Sequence, residues 1–177
     1  MPSLHPHPSG DADSTQLPVC LHRPSVEWEQ SYTWFLEQFR QSGEDGHLAD
    51  SLHRCGSFAA FVDWLERCQT HMDSSTYQAM LVFWLTHGDT IVAESQITYR
   101  RDGVITIGYI VAPSHRRNGY GHCLLHHTLN AARMLGIRSL RLSCRETNTA
   151  SIRIIERQGG RRIRRSGSAL RHFQIDL

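Results

Sequence analysis

Lysine is missing altogether: among 177 residues, all 19 Lys-or-Arg positions are arginine. Arginine keeps its proton at neutral pH and is a poor nucleophile, so no internal side-chain amine is available to take up an acyl group. Long apolar runs are missing too. No stretch of 18 such residues occurs, which argues against a membrane-spanning helix and a membrane partner. The first eighteen residues, MPSLHPHPSGDADSTQLP, lack the basic start and apolar core of a secretory signal. With little apolar surface to bury, they are expected to form a mobile tail, and His5 and His7 within it imply no built metal site. Cysteine pairs are absent as well: Cys20, Cys55, Cys68, Cys123 and Cys144 stand far apart with no C-x-x-C. Neither a disulfide framework nor a zinc cluster is indicated, and the reducing cytoplasm is the expected compartment.

What remains, residues 19–177, has the length of one domain with a sizeable core. Its charge is divided. Residues 1–99 hold 4 Arg against 13 acids, whereas residues 100–177 hold 15 Arg against 4 acids. A basic half suits an anionic ligand, and an acidic half suits a cationic one, unless folding interleaves the two.

The order of elements follows from periodicity. Val19–His22 reads as a short strand, and VEWEQSYTWFLEQFRQSG as a helix with Trp28, Tyr32, Phe35 and Phe39 at helical spacing, ending at Gly43. Residues 44–56 read as a loop or short helical turn. Ser57 can cap a second helix bearing the stripe Phe58, Phe61, Trp64, Leu65 and Cys68. Both aromatic stripes read first as core, with a groove for a ligand as the alternative. From Tyr77 the period becomes two, and AMLVFWLT, TIVAESQITYR and VITIGYIVA form three strands joined at His87-Gly88-Asp89 and Arg101-Asp102-Gly103. A long helix with Leu124, Thr128, Ala131 and Leu135 on one face follows and stops at Gly136. Then come the strand SLRLSC, the helix TNTASIRIIERQ with Gly159-Gly160 behind it, and a final hairpin in RRIRRSGSALRHFQIDL. No internal repeat is present.

One segment carries most of the chemical information: Ile110-Val111-Ala112-Pro113-Ser114-His115-Arg116-Arg117-Asn118-Gly119-Tyr120-Gly121. Gly119 and Gly121 let the backbone approach a ligand closely, and the first amides of the following helix are unpaired donors at the positive end of its dipole. Arg116 and Arg117 add forked, charged donors that suit phosphate oxygens. The segment is therefore read as a phosphate cradle, with tight packing at the glycines as the plain alternative.

The order strand, V-x-P, R-x-x-G-x-G, amphipathic helix, strand and N-x-x-S-x-x-x-I-E-R-x-G-G resembles the acetyl-CoA motif of the GNAT superfamily. The patterns IGY-x-V-x-P-S, L-x-C-x-x-x-N-x-x-S and I-E-x-x-G-G are similar to those of its bacterial "predicted acetyltransferase" group. The likeness runs from about Val26 to Leu177. It implies an α+β fold: a twisted, mostly antiparallel sheet of about six to seven strands, helices on both faces and a splayed strand pair at the cofactor site. It further implies acetyl-CoA as acyl donor, Ile110 and Val111 pairing with the pantetheine arm, and the loop from Arg116 through Arg117, Asn118, Gly119, Tyr120 and Gly121 to His122 holding the pyrophosphate. Asn148 would contact the pantetheine arm, cap its own helix, or do both.

The expected activity is acetyl transfer to a primary amine of a small molecule by direct attack; a catalytically silent acetyl-CoA-binding regulatory module is the alternative. The second reading arises because the tyrosine that many members place seven residues after the asparagine, to protonate the leaving thiolate, is Ile155 here. Tyr109, Cys144 and Tyr120 are the candidates for that role. Glu94, a carboxylate in an otherwise apolar strand, is the first candidate for general base, with a solvent-facing side chain as the alternative; Glu37 is the second. Cys144 as an acetylated nucleophile is less favoured than Cys144 as packing. His122 and His126 lie one turn apart but lack a third ligand, so no metal is expected. The acid-rich amino half suggests a cationic acceptor, and a homodimer is compatible with the reading. Nucleic-acid binding through Arg161, Arg162, Arg164 and Arg165 is not favoured, because no aromatic reader motif accompanies them.

Overall fold

The computed structural model describes residues 18–44, 47–164 and 169–177. Seven strands form one sheet: β1 (Val19–His22), β2 (Tyr77–His87), β3 (Thr90–Arg100), β4 (Ile105–Val111), β5 (Ser139–Arg145), β6 (Arg161–Ile163) and β7 (Leu170–Asp176). Their spatial order is β1-β2-β3-β4-β5-β7-β6, and every neighbouring pair is antiparallel except β4 with β5. Five helices complete the fold: α1 (Glu29–Gln41), α2 (His47–Cys55), α3 (Phe58–Cys68), α4 (Tyr120–Met134) and α5 (Thr149–Arg157). This is the mixed, mostly antiparallel architecture expected of the fold. The tail expected at residues 1–18 lies, apart from Pro18, outside the described residues, as does Arg165.

Residues 47–55 form a full helix rather than the loop or single turn expected, and Leu52 and Cys55 pack against the aromatic cluster below. The α3 start behaves as foreseen: the Ser57 hydroxyl accepts from the Ala60 amide at 3.2 Å. In α4 the buried stripe is Leu124, Leu125, Thr128, Leu129 and Ala132, at spacings of three and four. Leu135, expected on that face, is exposed at the C-cap because the helix has already ended at Met134.

The pleat of β3 sorts two faces. Ser95 and Ile97 point to α4, where the Ser95 and Thr128 hydroxyls meet at 2.7 Å and Ile97 joins Leu125, Leu129, Leu140, Ile155 and Phe173 in a largely aliphatic core. Glu94, Gln96 and Thr98 alternate to the opposite face. There, α1 and α3 lie over β3 and β2 and bury Tyr32, Phe35, Phe39, Phe58, Phe61 and Trp84 together. The aromatic stripes are thus core and not a groove; burying a side chain such as Phe35 contributes about 1.5–3 kcal/mol. These two helices cover only the β2–β3 half of their face. Beside them a cavity of about 410 Å³ opens over the uncovered ends of β2 and β3 and over β4, β5 and β7, with Gln96, Gly108, Arg141 and Ser143 in its wall.

Candidate functional site

The segment between β4 and α4 turns twice into left-handed backbone. Pro113–His115 make one 3₁₀ turn, then Arg117 adopts φ 67° and Gly119, the N-cap of α4, φ 83°. A left-handed conformation costs a residue with a side chain about 1–2 kcal/mol, so Arg117 is held there against its preference while Gly119 adopts it freely. The consequence is electrical. No side chain caps α4, and among the described residues no protein acceptor takes the amides of Arg117, Asn118, Gly119, Tyr120 or Gly121. Successive unpaired amides at the positive end of a 15-residue helix form an anion-binding concavity.

Two residues of the loop behave differently from expectation. Gly121 is buried, and a Cβ on it would stand 3.0 Å from Ile154 and 3.5 Å from Val111, so its missing side chain serves the packing of α4 on α5 and β4. Arg116 directs its guanidinium to Glu44 through two bonds of 2.8 Å and to the Val111 carbonyl at 3.2 Å. Its charge therefore ties the loop to the end of α1. Arg117 and Asn118 stay exposed, as does His122, whose ring bonds Gln158 at 3.0 Å. His126 pairs with Asn130 instead, and no metal-binding group of His, Cys, Asp or Glu exists among the described residues.

Next to the loop the sheet comes apart. β4 and β5 share one register pair among the described residues, Thr106 with Arg141, and toward Val111 the edge of β4 lacks a strand partner on that side. Ala112 donates to Val92 of β3, so the Val111 carbonyl, opposed to that N–H in the same planar peptide, points to the open side. By strand alternation the backbone groups of Tyr109 also face the open side, and those of Ile110 face β3. Of the two residues expected to meet an extended arm, only Val111 therefore presents its backbone there.

The Tyr109 ring fills the space between β4, α4 and α5. Its hydroxyl is buried near Ser151 but makes no hydrogen bond of ordinary geometry, and burial pushes its pKa up to about 12. Ile155, at the position where a tyrosine was sought, is buried in the aliphatic core, so α5 contributes no phenol. The Tyr120 hydroxyl is already bonded to His87 at 2.8 Å. Burial raises the Cys144 thiol above its ordinary range, which is the reverse of what an activated nucleophile needs. Asn148 caps α5, accepting from the Ser151 amide at 3.0 Å.

On the opposite face Glu94 is enclosed, not solvent-facing. Tyr32 and Trp84 donate to the same carboxylate oxygen at 3.0 and 2.8 Å, and their rings stack with centroids 4.6 Å apart. It is the only buried carboxylate among the described residues. Burial raises its pKa to about 7, against the opposing pull of the Trp84 and Tyr32 hydrogen bonds. Glu37 lies at the other extreme. Hydrogen bonds from Arg40 and Gln41 hold it down to about 2 at the surface of α1, too weak a base for an amine. Sequence reasoning missed the neighbours of Glu94. Gln96 follows it at i+2 on the same face, and the alternation that singled out Glu94 could have found it.

In the carboxy-terminal strands Arg161 pairs with Asp176, and Arg162 and Arg171 share Glu146. No helix among the described residues is long and apolar enough to cross a membrane.

Comparison with known proteins agrees with this architecture. The model of the acetyltransferase (GNAT) family matches residues 28–160. The GNAT domain of S. lividans PAT superposes with a TM-score of 0.64 at 18% identity, covering 89% of each chain. The PaiA N-acetyltransferase of Thermoplasma acidophilum, solved in complex with coenzyme A, gives 0.64 at 12% identity over 91% of this chain and 100% of that one. The yncA protein of Salmonella typhimurium, solved with its cofactor acetyl-CoA, gives 0.62 at 16% identity over 90% and 94%. No curated protein matches the sequence significantly. Low identities make these likenesses of fold, but the family model spans most of the sequence, and the chain belongs to the acetyltransferase (GNAT) family.

Proposed function

We propose that this single domain, from residue 19 onward, is an acetyl-CoA-dependent N-acetyltransferase that acetylates a primary amine by direct attack. The carrying observation is the row of unpartnered amides from Arg117 to Gly121, set beside the open edge of β4. A diphosphate fits those donors, and the Val111 amide with the backbone of Tyr109 offers strand-like pairing to an extended arm, the Val111 carbonyl being held by Arg116. Acetyl-CoA supplies the thioester carbonyl. The protein's own part is to position, exclude water and move protons. Glu94, close to half-ionised at neutrality, takes the proton released by the amine, with Gln96 next to it on the open face. Tyr109 keeps its proton, and its unpartnered hydroxyl, buried near Ser151, is the donor we assign to the departing sulfur in place of the phenol that Ile155 cannot provide.

The test is calorimetric titration with acetyl-CoA followed by a free-thiol assay over a panel of amines. Binding together with amine-dependent thiol release is the expected result. Binding without release from any amine would select the silent module, and absence of binding would overturn both.

A further inference from the structure

We infer, building on the reading above, that the acceptor is an amino acid or a close analogue, whose anionic group is recognised by Arg141. The cavity, which runs from β2 and β3 across β4 to β5 and β7, lies on the same face as Glu94 and reaches Gly108, at the edge where β4 and β5 part. Three of its lining residues carry fixed charge: Arg100, Asp102 and Arg141. Arg100 and Asp102 cancel each other through contacts of 3.0 and 3.2 Å, and Arg100 also lies over the Tyr77 ring. Arg141 is exposed in the cavity wall and has no ion-pair partner among the described residues. Among the described lining residues one net positive charge is therefore left in the cavity.

Register sets the reach. Arg141 sits across from Thr106, one same-face step of about 7 Å along β4 from Gly108. An arginine side chain spans that step, so its fork meets a carboxylate while the amine of the same small molecule stays near Gly108 and Gln96. Gln96 is exposed in mid-sheet, with its amide nitrogen close over Gly108, and can accept from or donate to the acceptor. Charge here runs opposite to the acid-rich amino half. Of those acids Glu37 and Glu44 are paired with Arg40 and Arg116, and among the described residues none lines this cavity, so a purely cationic acceptor finds no counter-charge there except the neutralised Asp102.

The experiment compares kcat/KM for the standard amino acids and their methyl esters in the wild type and in Arg141→Gln, a surface change checked by an unaltered melting temperature. Free acids are expected to exceed their esters, and R141Q to reduce kcat/KM on the acids by roughly 10- to 100-fold, the loss of hydrogen bonds to a charged group. The loss on esters should be far smaller. In parallel, the Gln96 side-chain amide resonances should shift on adding the preferred amino acid to the wild type and stay put with R141Q. Esters matching or exceeding acids, equal losses on both, or turnover of only non-acidic amines would overturn the inference, as would bound acetyl-CoA with no amino acid turned over. Failure to bind acetyl-CoA would instead count against the acetyltransferase reading itself.

Discussion

The two sides of the sheet do different work with different materials. On the α4–α5 side the core is largely aliphatic, the packing closes around Ile154 and Ile155, and at the helix start backbone amides are left without partners. On the α1–α3 side the core is aromatic, and a carboxylate is buried within it on two hydrogen bonds from Tyr32 and Trp84. Under the proposed function the first side offers an anion groups that cannot titrate. The second holds a titratable group where its charge is costly. The proposed division of labour between binding and proton transfer rests on that contrast.

The sharpest way to break the comparison is Glu94→Gln. A carboxyl whose native pKa lies near 7, above its ordinary 4.5, binds its proton more tightly in the folded protein, so the stability it lends is full below about 4.5 and falls as pH rises to about 7. Denaturant titrations should show the wild type losing up to about 3 kcal/mol across that window and the variant losing none of this component. Turnover should drop by at least roughly 100-fold above pH 7, and the limb of the pH profile near 7 should vanish. An unchanged profile would leave Glu94 a structural tie between α1 and β3.

Gly119→Val tests the other side with a smaller expected effect. Nothing lies within 4 Å of the added Cβ, so the change acts through the φ of 83° alone. Loss of one or two correctly aimed amides should weaken acetyl-CoA binding by roughly 10- to 100-fold in calorimetry. The backbone strain, about 1–2 kcal/mol, should lower the melting temperature by only a few degrees. Equal affinity would mean that the loop conformation is not what binds the diphosphate.

Tyr109→Phe examines the gap between the two sides. Removing a buried hydroxyl that has no partner should leave stability unchanged or slightly higher. Single-turnover rates should still fall about tenfold, less than is usual for a positioned acid because water can stand in at an open strand edge. A rate equal to the wild type would remove the phenol from the mechanism.

Much of this was readable from the chain because it is local. Strand alternation, helical stripes and the glycine loop each lie within a dozen residues, and so the free amides of α4 could be expected from Gly119 and the helix behind it. What escaped depends on partners far away in sequence. Whether Glu94 faced solvent or core turned on Tyr32, 62 residues earlier, and the diversion of Arg116 turned on Glu44, 72 residues away. Alternation assigns a residue to a face but not the cover over that face. The charge split between the halves was real in sequence but did not forecast the cavity, whose unpaired Arg141 comes from a strand brought beside β4 only by the α4 crossover.

The most direct test is an amide-resolved NMR titration of the ¹⁵N-labelled protein with coenzyme A. The account predicts that the resonances of Arg117, Asn118, Gly119, Tyr120 and Gly121 move first and furthest, followed by Tyr109 and Val111. Saturable binding that leaves those five amides in place and perturbs another region would contradict it.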